Sequence, residues 1–378
     1  MINRRIFTMA AGSAALAGFS VANAQSNNRI VLGQSAAFTG PAAQLGIQFH
    51  EGAKLWFEQV NDRGGVNGRS IELKKLDDGY EPERCLANTK QLISENVFAL
   101  FGYIGTPTSL AALPVIKSSQ IPFIAPFTGA MGLREPYVKN VFHLRASYND
   151  ETALIVKQLT NLGLKKIAVF YQNDAYGKAG LDGVTLALSK LDLKPVAIAT
   201  VERNTVDVAN AVKVLNAAKP DAVVQISAYK SCAAFVRESR KAGYGGTFYN
   251  VSFVGTQALA DELGKDGAGV VVSQVVPSPY SSSRPIAREF AESIKSGGGE
   301  VQANFSSMEG YLAAKLFTEA LKRAGNAITI SRADLIRGFE SIGSLSLGGF
   351  STQISSANHV ASSFVELSML TGDGRIRT

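Results

Sequence analysis

The chain has few of the side chains on which most catalysis depends: three histidines, two cysteines and one tryptophan in 378 residues. His50, His143 and His359 fall in no nucleophile elbow, metal-ligand spacing or Cys-His arrangement. Asp77 and Asp78 are adjacent, and neighbours on a strand point to opposite faces, so they do not readily form a carboxylate pair. The stretch "GYIGTPTS" lacks the GxGxxG spacing of a dinucleotide fingerprint. No metal, cofactor or catalytic residue is therefore expected. Only 18% of residues are charged, and the net charge of +7 comes with no long basic run, which argues against a nucleic-acid partner. Cys85 and Cys232 stand 147 positions apart, in segments assigned below to different domains, and are expected to be free thiols. Beyond the first residues, no segment reads as a membrane span.

What is present begins with a leader. "MINRRIFTMAAGSAALAGFSVANAQ" joins Arg4 and Arg5 to an apolar run and then Ala22-Asn23-Ala24, the layout of a secretory signal cleaved after Ala24. Arg4-Arg5 also loosely fits a twin-arginine signal. Removing residues 1–24 leaves 354 residues with a net charge of +5, too long for one ordinary core. Apolar strands then alternate with amphipathic helices. "RIVLGQS", "SIELKKLDD", "FALFGYIG" and "IPFIAPF" are separated by helices near 46–63, 82–96 and 109–118. The rhythm restarts after Asp150. Helices near 152–162, 181–191, 206–218 and 231–242 precede "KKIAVFYQ", "LKPVAIATV", "DAVVQIS" and "GTFYNVSF". This is the pattern of α/β, doubly wound parallel sheets in two similar lobes. A third run, with helices near 286–296 and 308–323, lacks strands of its own and is expected to return to the first lobe.

Small hydroxyl and glycine clusters stand at the expected carboxyl edge of the first sheet, where open α/β sheets bind ligands. Thr106, Thr108 and Ser109 precede a helix; Phe127, Thr128 and Gly129 follow the next strand. The second unit offers Tyr148, Tyr176 and Tyr229, each combining apolar area with one hydroxyl.

In order and spacing, "FTGPAAQLG", "IELKKLDDGYEP", "FGYIGTPTS", "IPFIAPFTGA", "YQNDAYGKAG" and "SMLTGDG" resemble the periplasmic substrate-binding proteins of ABC importers, in the leucine/isoleucine/valine-binding branch. The resemblance covers nearly all of the mature chain. It implies two Rossmann-like lobes joined by three crossovers, with residues 28–147 and 277–349 in lobe 1 and residues 148–276 and 350–378 in lobe 2. It further implies a periplasmic monomer that passes a small-molecule carboxylate to ABC permease subunits. The same fold also serves extracellular sensors, which stand as the alternative, with an enzyme as a distant third. By resemblance, Leu45 lines the pocket, Thr106 bonds the ligand carboxylate, and Thr128 and Gly129 form a second ligand loop. Tyr176 closes over the ligand, and Tyr229 matches a tyrosine pair whose other member here is Ala228. Ser252 departs from the pattern, because the amino-acid binders carry a glutamate about there for the α-ammonium. Gly79 and Gly105 stand where the family places a short disulfide. The ligand expected from these departures is an aromatic or aliphatic acid without an ammonium group, with Asp150 as the only nearby acid visible in the sequence.

Overall fold

The computed structural model describes residues 29–326 and 329–378. The expected leader and its cleavage point lie outside the described residues. The first sheet follows the sequence rhythm: β1 (Arg29–Ala36), α1 (Ala43–Asp62), β2 (Ser70–Asp77), α2 (Pro82–Ser94), β3 (Ala99–Phe101), α3 (Thr106–Ser119), β4 (Phe123–Ile124) and β5 (Val141–Phe142). All five strands run parallel, in the order β2-β1-β3-β4-β5. The second unit holds α4 (Tyr148–Asn161), β6 (Ile167–Gln172), α5 (Ala175–Ser189), β7 (Ile198–Val201), α6 (Ala209–Ala217), β8 (Ala222–Ile226), α7 (Tyr229–Lys241), β9 (Thr247–Asn250), α8 (Thr256–Leu263) and β10 (Val271–Gln274). Its strands β7-β6-β8-β9-β10 are parallel.

The third run packs against the first helix of lobe 1. Helices α9 (Pro285–Ser296), α10 (Phe305–Arg323) and α11 (Arg332–Glu340) follow, and α10 lies along α1. The α1–α10 crossing is close because both helices supply glycine. A Cβ on Gly52 would stand 1.8 Å from the Ser307 carbonyl oxygen, and one on Gly310 would stand 2.0 Å from that of Phe49. The chain then forms a hairpin, β11 (Gly343–Leu347) with β12 (Phe350–Ile354). A lobe boundary at 349/350 would cut this hairpin in its turn. The chain finally reaches the second sheet with β13 (Glu366–Leu370), antiparallel to β10, and β14 (Ile376–Arg377) on the edge.

Several helices start earlier than hydrophobic periodicity suggests, because polar caps set their ends. Ser147 and Asp150 form a capping box that starts α4 at Tyr148 instead of Thr152. The Asp174 carboxylate accepts from the backbone N–H groups of Tyr176 and Gly177, which starts α5 at Ala175 instead of Leu181. These shifts put Tyr148 and Tyr176 in first turns of helices.

Candidate functional site

The turn between β1 and α1 has small residues because backbone fills the space. A Cβ on Gly46 would meet the Ala37 carbonyl oxygen at 2.0 Å. Leu45, the bulky member, reaches lobe 2: a Cβ on Gly255 would lie 2.3 Å from its Cδ2. At the end of β3, Gly105 has φ 104°, open to glycine but not to ordinary side chains, and a Cβ there would collide with the Tyr80 ring at 2.3 Å.

Thr106 opens α3, and its hydroxyl pairs with that of Thr128 at 2.6 Å. The Thr128 Oγ1 also accepts from the Ala130 N–H, fixing the turn. Gly129 works through its missing side chain: Tyr148 packs on it with ring and backbone, and its carbonyl accepts the Tyr148 N–H at 2.8 Å. Tyr148 is buried beside both threonines. Burial raises its phenol to about 12, although Arg145 and the Thr128 and Thr106 hydroxyls act the other way. Tyr176 lies 5.4 Å from Tyr148, centroid to centroid. Its buried hydroxyl has no hydrogen-bond partner among the described residues. Thr106, Tyr148 and Tyr176 thus bring the N-termini of α3, α4 and α5 to one place, and each N-terminus carries the positive end of a helix dipole.

Other candidates fall differently. The Thr108 hydroxyl donates to the carbonyls of Ile104 and Gly105, at 2.5 and 3.0 Å, and so serves its own helix. Tyr229 opens α7 and meets the Gln44 backbone across the cleft. Asp150 is the cap of α4, bonded to Ser147, and takes no part beside Ser252. The acid at Ser252 is its neighbour Glu151. One Glu151 oxygen accepts the Ser252 N–H (2.7 Å) and the Ser273 hydroxyl (2.6 Å); the other accepts the Ser252 hydroxyl (3.0 Å). Burial raises the Glu151 carboxyl, while Arg145 and these donors oppose the shift.

Sequence reasoning missed the ionic frame beneath the tyrosines. Arg145 donates to both oxygens of Glu309, at 2.7 and 2.6 Å, and also to the Ser252 hydroxyl at 3.2 Å. Its guanidinium lies 3.9 Å from the centre of the Phe127 ring. Burial alone would lower Arg145; the Glu309 carboxylate outweighs it and raises the group. Arg134 donates to the carbonyls of Thr128, Ala130, Arg145 and Ala146, at 3.2, 3.1, 3.0 and 3.4 Å, tying the turn at 128–130 to the first passage between lobes. Burial, then Arg145, lowers it to about 10.

The lobes also meet at the cleft mouth. Arg203 of lobe 2 contacts Glu81 of lobe 1 at 3.1 Å and Asp174 at 3.2 Å. Asn204 donates to Glu81 (2.7 Å) and to the Gly79 carbonyl (3.1 Å), and Gln172 donates to the Tyr80 hydroxyl (3.2 Å). Tyr80 holds a left-handed backbone, φ 65°, supported by the Asp78 carboxylate that accepts its N–H at 2.8 Å. Among the described residues, no helix is long and apolar enough to cross a membrane, and no cluster of His, Cys, Asp and Glu fits a metal ion.

Two α/β lobes that meet over a buried set of hydroxyl and aromatic side chains define a type I periplasmic binding protein. The chain belongs to the periplasmic binding protein family, which matches residues 29–374, and within it to the leucine/isoleucine/valine-binding type. It is 28% identical over 330 residues to Leu/Ile/Val-binding protein homolog 7 of Brucella suis, covering 82% of this chain and 80% of that one. The crystal structure of a possible leucine/isoleucine/valine-binding protein from Rhodopirellula baltica is 32% identical, with a TM-score of 0.87 over 93% of this chain and 96% of that one. A substrate-binding periplasmic protein from Ralstonia solanacearum is 29% identical, with a TM-score of 0.86 over 92% and 99%.

Proposed function

We propose that the protein captures a small carboxylate between its lobes and delivers it to an ABC importer by closing and reopening about its hinge. The observation that carries this reading is the convergence of three helix N-termini on a buried hydroxyl set. The positive ends of α3, α4 and α5 favour an anion, and Thr106, Thr128, Tyr148 and the unpaired Tyr176 hydroxyl supply donors. Leu45 and Phe127 supply apolar wall.

Relatives are named for leucine, isoleucine and valine, yet an acid without an α-ammonium suits this chain better. Glu151 is the acid beside Ser252, and both its oxygens are already taken by three neutral donors from Ser252 and Ser273. Three of about four acceptor sites on Glu151 are thus occupied, and the buried Arg145 cation bonds Ser252 at 3.2 Å, so a ligand ammonium there would share its acid and face a like charge. The test is mass spectrometry of compounds released from purified protein, followed by calorimetry on ligand-stripped protein with each compound found. A tightly bound neutral or cationic compound, with no acid able to displace it, would sink the carboxylate reading.

A further inference from the structure

Between the lobes lies an aromatic side chain that no motif of the sequence singled out. Phe253 sits on a short 3-10 turn, Ser252–Val254, between β9 and α8 of lobe 2, and is fully buried. Its ring reaches across the cleft. The centroid lies 5.7 Å from that of Tyr80 and 5.8 Å from that of Phe127, both in lobe 1, and 4.5 Å from that of Tyr176 in lobe 2. These are the separations of aromatic pairs in contact, so no second ring fits between Phe253 and any of the three.

The surroundings hold that ring in place. Phe127 is covered by the Arg145 guanidinium and packs edge-on to Phe49, 5.7 Å away. Tyr80 is fixed by Gln172 through its hydroxyl and by Asp78 through its backbone. Leu45 of lobe 1 stands against Gly255, which follows the turn that carries Phe253. The aromatic cage is therefore already filled at this point by a ring of the protein itself.

We infer that Phe253 occupies the ring-sized place in the cleft and so restricts the cargo to acids with a small aliphatic chain, excluding those that carry an aryl group. This rests on the carboxylate reading above and narrows it. Removing the ring leaves an apolar hole, and a hole of about 150 Å³ lined by apolar side chains takes a benzene molecule.

The experiment compares wild type, Phe253→Ala and the milder Phe253→Leu, each stripped of ligand and checked for folding by circular dichroism. Isobutyrate and isovalerate are titrated against benzoate and phenylacetate by calorimetry, and benzene is added alone in thermal melts. Wild type is expected to take the aliphatic acids and refuse the aryl acids. Phe253→Ala is expected to shift the preference towards phenylacetate by roughly tenfold or more, and benzene should stabilise it but not wild type. Wild-type binding of phenylacetate as tight as that of isovalerate would overturn the inference. So would a Phe253→Ala protein that keeps isovalerate with no gain for aryl acids. If no variant takes any of the four acids, the carboxylate reading fails, and the benzene melts still decide whether Phe253 holds ring-sized space.

Discussion

The Arg145–Glu309 pair offers the sharpest energetic test. Its two hydrogen bonds, 2.7 and 2.6 Å, make a bidentate contact, and the side chains are only 1% and 4% exposed. Glu309→Gln keeps the shape but removes the charge and turns one acceptor into a donor facing Arg145. The guanidinium then stays buried without its bonded carboxylate, with the one remaining amide oxygen and the Ser252 hydroxyl as acceptors. Breaking one side of a buried pair costs about 3–5 kcal/mol, a large part of the roughly 5–15 kcal/mol that holds a typical protein folded. For lobes of this size the midpoint should fall by roughly 6–20 °C, at about 2–4 °C per kcal/mol. Urea titration followed by circular dichroism, with calorimetric melts alongside, measures both numbers. The double variant Arg145→Met, Glu309→Leu removes both charges of the pair and should recover part of the loss, because the buried acid left nearby, Glu151, keeps its three hydrogen-bond donors. A loss below about 1 kcal/mol in Glu309→Gln, the range of exposed pairs, would refute the view that this pair is sealed from water.

The remaining predictions concern ligand, pH and thiols. Thr106→Ala should weaken binding of the cargo by about 1.5–3 kcal/mol, roughly 10- to 150-fold, whereas Thr108→Ala should leave the dissociation constant unchanged; calorimetry reads both. Isovalerate is L-valine without its amino group, and it should bind roughly a hundredfold tighter, since an ammonium there would face the buried Arg145 cation and a Glu151 already bonded to three donors; micromolar L-valine binding that Glu151→Gln abolishes would show instead that Glu151 serves the ammonium. Burial, reinforced by the Asp77 charge, raises Asp78 to about 6 from an ordinary 3.8. A raised carboxyl contributes stability below its unfolded value and loses it as pH climbs through the folded one. Wild type should therefore lose stability relative to Asp78→Asn as pH rises from about 4 to about 6, and urea midpoints that move in parallel across that window would contradict it. Cys85 and Cys232 are free and buried, and burial raises both thiols, so a thiol reagent should count two groups after denaturation without reductant and react slowly before it.

The two-lobe α/β architecture was legible because parallel strands buried on both faces read as apolar runs, and the helices between them keep a 3.6-residue period. Helix starts were less legible. The periodic signal begins where burial of the apolar face begins, and Ser147, Asp174 and Asn304 extend α4, α5 and α10 upstream through polar caps. At the site, Thr106, Thr128, Gly129, Tyr148 and Tyr176 could be found because strand-end turns announce themselves locally. Arg145, Glu309, Phe253 and Tyr80 could not, since their partners are far away in the chain: Arg145 meets a residue 164 positions downstream. Asp150 drew attention over Glu151 for a related reason. Adjacent acids on a helix point about a quarter-turn or more apart, and only the fold shows that the first caps α4 while the second turns inward to Ser252.

The crossing of α1 with α10 also bears on how the chain acquires its shape. Trp56 donates its indole N–H to the Thr318 hydroxyl at 3.1 Å, over a separation of 262 positions, and Gly52 rests on the backbone of Ser307. The apolar face of the first long helix therefore has its main covering only after the whole of the second lobe's parallel core has been made. Contacts this distant in sequence are slow to form, and a growing chain folds its units only once their segments exist. The amino-terminal lobe, the first to be started, is thus covered only after the parallel core of the second lobe, and β13 and β14 then close the second sheet. The leading half therefore cannot lock into a finished globule before the trailing third has been made.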